Sequence, residues 1–415
     1  MRSLWIPVLC GGLILMLGLG TRQSFGIFLK PISADLGVGR ELWSFGIALS
    51  LLVMGLLSPF VGGVADRFGA ARTIAAGAAV YILGMAMVAL ATEGTLLTWG
   101  LILTGIGLSA AGFGPILGVV GRAASPVKRS LALGIATAGG SFGQFAVVPL
   151  ASVAQDAIGD WHITMWILTG LSLIMLPLAI GLREGRAGSA QAGGGPKRQT
   201  SREALSEAFA TRGFWLLTLG FFVCGFHVSF VGTQLPSYVS DHGIGLALFG
   251  YRISPVELGG WAIGLVGLFN IVGSVVWGWL GGRHRRKDML TLLYLLRAAV
   301  FALFLVVPLS AGSVLAFSAT LGFLWLGTIP LTSGLVGFMF GTANMSMLYG
   351  VVFLSHQFGS FLGGWGGGWL YDLTGGYDIM WWISVGLGLF AALCNWPIRE
   401  VPVPRLAERP LAAHS

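Results

Sequence analysis

Three observations predict an all-α membrane protein of 12 transmembrane helices in two pseudo-symmetric six-helix bundles. First, about twelve long apolar segments follow one another, near residues 4–30, 41–65, 73–92, 97–121, 130–153, 161–182, 213–239, 257–281, 289–310, 313–338, 345–370 and 379–397. Each is long enough for a helix to cross a hydrocarbon core roughly 30 Å thick. Second, the cations fall in alternate gaps. With Met1 placed in the cytoplasm, only Lys30, Arg40 and Arg252 of the 24 Lys and Arg fall outside, and Arg22 and Arg297 lie within segments. The other 19 are cytoplasmic, an asymmetry that sets the orientation of a polytopic protein. Third, the six segments before a polar stretch near 183–212 echo the six after it.

Span 1 follows a single Arg2, and its apolar run is too long for a signal-peptide core, so a retained first helix is expected. It carries Gly20, Arg22, Ser24, Phe25 and Pro31. Spans 2 and 3 flank a Gly-rich basic loop, 62–72. Span 4 holds Gly114-Pro115 and Gly118, expected as ordinary packing. Span 5 places Thr137, Ser141 and Gln144 at i, i+4 and i+7, a single polar stripe, and span 6 completes a first bundle over 1–183. Residues 184–196 are rich in Gly, Ala and Ser and read as a flexible linker. Thr200 and Glu203 then have capping-box spacing, with Leu205 and Phe209 on one face, so 184–212 is a cytoplasmic linker with a short amphipathic helix. The second bundle covers 213–398, and 399–415 is a cytoplasmic tail. Span 7 repeats span 1, with Gly225, His227, Ser229, Phe230 and Pro236 at the same internal spacing. The loop after span 8, Gly278 to Lys287, repeats the 62–72 loop with Gly282 where the first copy has Asp66. Two repeats of this kind imply a substrate site near the midplane, between the halves.

Composition excludes several classes. Charged residues are 10% and hydrophobic ones 55%, and the net charge of +8 is the sum of basic loops beside an anionic leaflet, so no nucleic-acid partner is implied. Cys10, Cys224 and Cys394 lie in separate spans, with no metal spacing and no disulfide framework. No cofactor is expected. An enzyme would need a nucleophile with a base, paired carboxylates or a metal set within the membrane, and no such motif is present. A sensor would need a larger output domain than the central loop. The 66 glycines let helices approach closely in a bilayer.

The loop Gly62-Gly63-Val64-Ala65-Asp66-Arg67-Phe68-Gly69-Ala70-Ala71-Arg72 resembles the Gly-x-x-x-Asp-Arg-x-Gly-x-x-Arg signature of the major facilitator superfamily. With twelve spans and a central loop, the resemblance covers nearly the whole chain. It implies the major facilitator fold and a conformational latch at Gly62, Asp66, Arg67, Gly69 and Arg72. The run from Lys128-Arg129 through Leu131-Ala132 to Ala138-Gly139-Gly140-Ser141 resembles the span-5 signature of the monocarboxylate porter and oxalate–formate antiporter branch. That branch carries an acid and an arginine in span 8 where this chain has Asn270 and Ser274. The Gly-Pro element of drug–proton antiporters is absent from span 5.

A guanidinium in hydrocarbon costs about 2.5–3.5 kcal/mol on insertion scales, so such groups usually face a cavity. Arg22 can hold a carboxylate in bidentate fashion, and His227, its repeat equivalent, can add a hydrogen bond or a proton. The alternatives are that Arg22 snorkels to the interface and that His227 is a packing residue. His356 and Gln357 stand mid-span 11. Gln23, Gln234, Asn270, Thr137, Ser141 and Gln144 complete the candidate substrate-binding set, and His227 and His356 are the proton-coupling candidates. Arg297 is open between a tie to carbonyls or the latch and a substrate contact. All 16 acids lie in loops or at span ends, so a fixed carboxylate carrying cations or protons is not evident.

The expectation is therefore an inner-membrane secondary transporter, monomeric, with both termini cytoplasmic. It would move a small organic anion, a carboxylate, by alternating access, either with a proton or in exchange. Efflux of amphipathic, drug-like compounds is the rival, since 26 Phe and 15 Trp could line a greasy cavity.

Overall fold

A computed structural model of the chain describes residues 4–37, 40–183, 199–248, 251–253 and 255–407. The flexible linker expected at 184–196 lies outside them, as does the end of the tail from 408.

The helices follow the apolar segments, with ends shifted by a few residues in either direction. Span 1 is Trp5–Gln23, then one 3-10 stretch Ser24–Phe28 and a helix Leu29–Leu36. Spans 2 and 3 are Arg40–Phe68 and Ala70–Ala89. Span 4 is two helices, Gly94–Ala111 and Phe113–Ala123, and span 5 is Arg129–Ile158. Span 6 is Trp161–Ser172 followed by Met175–Gly181. The surface helix Ser201–Ala210 starts at a reciprocal capping box between Thr200 and Glu203. Span 7, Arg212–Asp241, continues through Pro236, and a two-stranded antiparallel hairpin, β1 (Leu246–Leu248) with β2 (Tyr251–Ile253), separates it from span 8, Pro255–Arg283. The spacing did not predict that hairpin. Span 9 is Arg286–Val306, and span 10 is broken like span 4, into Ala311–Leu324 and Thr328–Phe340. Spans 11 and 12 are Met345–Thr374 and Asp378–Asn395.

Among the described residues 11 of these elements are long and apolar enough to cross a membrane. Span 11 is the other, 30 residues long, and His356, Gln357 and its serines dilute its hydropathy. Leu150, Leu393 and Phe60 on the bundle's outside are more than 60% exposed, as a lipid-facing surface requires.

The halves meet along two crossing pairs, spans 2 with 11 and spans 5 with 8. The crossings are repeat copies. A Cβ on Gly350 would lie 2.6 Å from the Ser58 carbonyl oxygen, and one on Gly134 would lie 2.5 Å from that of Ser274. Each partner is displaced by 216 residues from its counterpart (350 less 134, 274 less 58). No side chain fits at such contacts, so small residues let the backbones touch. We call the end with the 2–3, 4–5 and 8–9 loops the basic end, after Arg67, Arg72, Arg122, Lys128, Arg283 and Lys287.

Candidate functional site

A cavity opens between the halves, about 870 Å³ of empty space with its open mouth included. Two of the interrupted spans contribute to its wall, span 4 through Gly112, Phe113 and Gly114 and span 10 through Trp325 and Leu326. Phe353 adds a third aromatic ring. Among the candidate substrate-binding residues, Arg22, Gln23, Ser141, Gln144, His356 and Gln357 line this space; Ser58 and Ser109, missed by the sequence reading, line it as well. Among the described residues no Asp or Glu does, and Arg22 is the only Lys or Arg that does.

Arg22 sits at the last turn of the first helix of span 1, just before the 3-10 stretch. Its Nε is shut off from solvent without a hydrogen-bond partner. The Tyr81 ring of span 3 lies beside it, its hydroxyl bonded to Thr21 Oγ1 and donating to the Gly18 carbonyl at 3.5 Å. The guanidinium thus lies beside a phenol and, among the described residues, has no ion pair with a carboxylate.

On the opposite wall, Gln357 Nε2 donates to the Leu51 carbonyl at 3.1 Å, which turns its Oε1 to His356 Nδ1 at 2.9 Å. An amide oxygen only accepts, so Nδ1 donates in this bond. The Nε2 of His356 is buried without a partner. The imidazole stacks on Phe353, 5.3 Å between centroids and 10° between planes.

Four candidates stand elsewhere. His227 is fully buried inside the second bundle, its Nε2–H donating to the Ser384 carbonyl at 2.9 Å and its ring 4.7 Å from Phe301. The expected pairing of His227 with Arg22 across one anion is corrected here, because the two are not brought together. Their repeat equivalence stands, but the charges are exchanged: Tyr81 of span 3 neighbours Arg22, while Arg297, 216 residues after Tyr81, neighbours His227. Thr137 bonds back to the Leu133 carbonyl at 2.8 Å, within its own helix. Gln234 ties span 7 to span 11, donating to the Gly364 carbonyl at 3.3 Å. Asn270 stands behind the cavity wall, donating to Ser141 Oγ at 2.8 Å and accepting from the Leu326 N–H at 2.9 Å.

Arg297 is a tie to carbonyls. Nε and Nη2 donate to the Leu324 carbonyl at 3.1 and 2.7 Å, and Nη2 also reaches the Trp325 carbonyl.

At the basic end the first loop clamps the opposite half. Arg122 Nη1 donates to Asp66 Oδ1 at 2.6 Å, and Asp66 Oδ2 accepts from the Met347 N–H at 2.9 Å. Arg122 also reaches the Thr342 carbonyl at 3.4 Å. A carboxylate, its side chain 2% exposed, thus sits on the first turn of span 11, where free N–H groups and the helix dipole favour negative charge. Gly62 is required here, since a Cβ would lie 2.5 Å from the Ser346 carbonyl oxygen. Gly69 starts span 3 at φ 100°, which L side chains rarely adopt. The expectation for Arg67 and Arg72 needs correction. Both are exposed, Arg67 over the Phe68 ring, and the cation on Asp66 is Arg122, which in the sequence is indistinguishable from other basic-loop charge. The second copy works without an acid at Gly282: Arg286 pairs with Glu400 at 2.9 Å and donates to Ser130 Oγ at 3.1 Å, at the start of span 5.

Comparison with known proteins agrees. The oxalate:formate antiporter of Oxalobacter formigenes is 24% identical over 370 residues, 87% of this chain and 83% of that protein. Monocarboxylate transporter 13 of Bos taurus is 26% identical over 382 residues, 90% and 84% of the two chains. The structure of the proton:xylose symporter bound to 6-bromo-6-deoxy-D-glucose superposes with a TM-score of 0.71 at 15% identity, covering 95% of each chain, which speaks to the fold alone. The Major Facilitator Superfamily profile matches residues 8–260 and 253–413, so with its two six-helix halves and the cavity between them this chain belongs to the Major Facilitator Superfamily and is a multi-pass membrane transporter, not an enzyme.

Proposed function

We propose that the protein is a secondary transporter of the inner membrane that moves a small organic anion, a carboxylate, by alternating access. One observation carries this reading: among the described residues, the wall of the cavity between the halves holds one cation, Arg22, and no acid. A guanidinium without a counter-charge in a low-dielectric space favours a carboxylate, which it can take through two parallel N–H···O bonds. His356 and Gln357 line the same space and place an imidazole and an amide beside the rest of the molecule. The relatives named for oxalate, formate and monocarboxylates support the same substrate class.

The basic end is cytoplasmic on this reading, and both termini lie there. The clamp of Asp66 and Arg122 on span 11 is the latch, and it holds the cytoplasmic side shut, so the cavity faces outward. Exchange of one anion for another needs no titrating side chain. Uptake with a proton uses His356 Nε2 or the substrate's own carboxyl group, and His227, sealed in the second bundle, takes no part.

The test is thermal stabilisation of the purified protein by a panel of mono- and dicarboxylates, aromatic acids, organic cations and neutral drugs, on wild type and Arg22→Ala. A ligand at 100 times its Kd stabilises the folded state by about 2.7 kcal/mol. Stabilisation by one carboxylate class, lost in Arg22→Ala, is expected. Stabilisation by cations or drugs alone, unchanged in the variant, would sink the anion reading and put efflux, suited to the ring-rich wall, in its place.

A further inference from the structure

Span 10 is interrupted at 325–327, between Ala311–Leu324 and Thr328–Phe340. A break strands the last carbonyls of one helix and the first N–H groups of the next. Here four consecutive residues hand a backbone group to a side chain of a neighbouring span. Trp277 Nε1 donates to the Phe323 carbonyl at 3.2 Å. Arg297 takes the carbonyls of Leu324 and Trp325, and Asn270 Oδ1 accepts the Leu326 N–H. Asn270 and Trp277 share a face of span 8 with Gly273, where a Cβ would overlap the Phe323 carbonyl oxygen. The interruption is therefore built into the packing and not a frayed helix end.

The held segment is also cavity wall, through Trp325 and Leu326. The other end of the Asn270 amide crosses to the first half, donating to Ser141 Oγ, and Ser141 lines the same cavity. One side chain thus joins a wall of the second half to a wall of the first. Each end of the amide holds one of these bonds, and Asn270 is fully buried and not among the cavity-lining residues, so its role is to hold the wall and not to face a substrate.

We propose that Asn270 and Arg297 are positioning residues: they hold the interrupted segment of span 10 in place as cavity wall, and the Asn270–Ser141 bond couples that wall to the movement of one half against the other. When the halves rock along spans 5 and 8, Asn270 loses its partner on Ser141 and the Trp325–Leu326 wall is released. The proposal needs the alternating movement common to the family, and does not depend on the substrate being an anion.

The test uses no substrate. Leu326→Cys and, on the opposite wall, Leu19→Cys are introduced separately into the full-length protein in proteoliposomes. The rate of modification by a membrane-impermeant maleimide is measured for each, alone and combined with Asn270→Leu or Ser141→Ala. We expect Asn270→Leu to raise the labelling rate at position 326 about tenfold or more relative to that at position 19. Ser141→Ala, which removes only the bond between the halves, should raise the same ratio about threefold. A general loosening would raise both rates together, and that result overturns the proposal, as does an unchanged rate at position 326. Should Asn270→Leu fail to assemble, the Ser141→Ala ratio decides by itself. Because labelling ignores substrate class, failure here is separable from failure of the carboxylate panel.

Discussion

Two arginines lie within the spanning bundle, and their surroundings divide their roles. Arg297 donates to two carbonyls at the break of span 10, whereas Arg22 lines the cavity with an Nε that no acceptor takes. Charge-assisted hydrogen bonds contribute about 1.5–3 kcal/mol each, so the two substitutions should fail differently. Arg22→Ala should weaken carboxylate binding by about a hundredfold and Arg22→Lys, which keeps charge but not the fork, by about tenfold, at 1.4 kcal/mol per factor of ten. Titration calorimetry on the best ligand of the panel measures both. Arg297→Leu should instead cost about 2–4 kcal/mol of stability by stranding two carbonyls, seen as a lowered melting temperature while the order of preference among ligands stays the same. The sequence showed both arginines as intramembrane cations, but spacing alone did not say which faced space. His227 shows why: its register against Arg22 was legible, yet the partner across the bundle is Tyr81 in one half and Arg297 in the other, and that exchange follows from tertiary neighbours some 60–70 residues away.

At the scale of elements, the crossings of span 2 with 11 and span 5 with 8 run on small residues at matched positions. The substitution Gly62→Ala would press a methyl group on the Ser346 carbonyl, which can be relieved only by moving the start of span 11 away. It should therefore open the basic end with little effect on the fold, raising labelling from that side of a cysteine introduced by Leu19→Cys by about tenfold if the strain is near 1–3 kcal/mol. The number and order of spans, the repeat and the loop motif were legible because hydropathy and small-residue spacing are local signals. The breaks in spans 4 and 10 were not. Gly114-Pro115 looked like packing, and nothing near Trp325 announced an interruption, since the groups that satisfy it come from Asn270, Trp277 and Arg297 in two other helices.

For the whole molecule, the polar ties between halves found among the described residues run from mid-membrane to the basic end: Asn270 to Ser141, Gln357 to Leu51, Asp66 to Met347, Arg122 to Thr342 and Arg286 to Ser130. Asp66→Asn removes the negative charge from the span 11 terminus and weakens its bond to Arg122. At about 1–2 kcal/mol for such a charge near a helix end, the balance should shift roughly 5- to 30-fold toward the form open at the basic end. Spin-label distances across that end would show a longer population absent from wild type, and no new population would mean that the clamp does not hold the closed state. The motif around Asp66 was legible as a sequence pattern, whereas its partner Arg122 was visible only once span 4 was folded beside it. The lone guanidinium of the cavity has a further, electrical consequence on the proposed reading. Empty, the site carries the one positive charge of Arg22; a bound monoanion cancels it. Reorientation of the loaded carrier is then indifferent to membrane voltage, while the empty carrier must bring its charge back against an inside-negative potential, at up to about 2.3 kcal/mol per 100 mV for a full crossing of the field. Exchange never returns an empty site. The residue that captures the anion therefore makes the resting potential a brake on net uptake and leaves anion-for-anion exchange free of it.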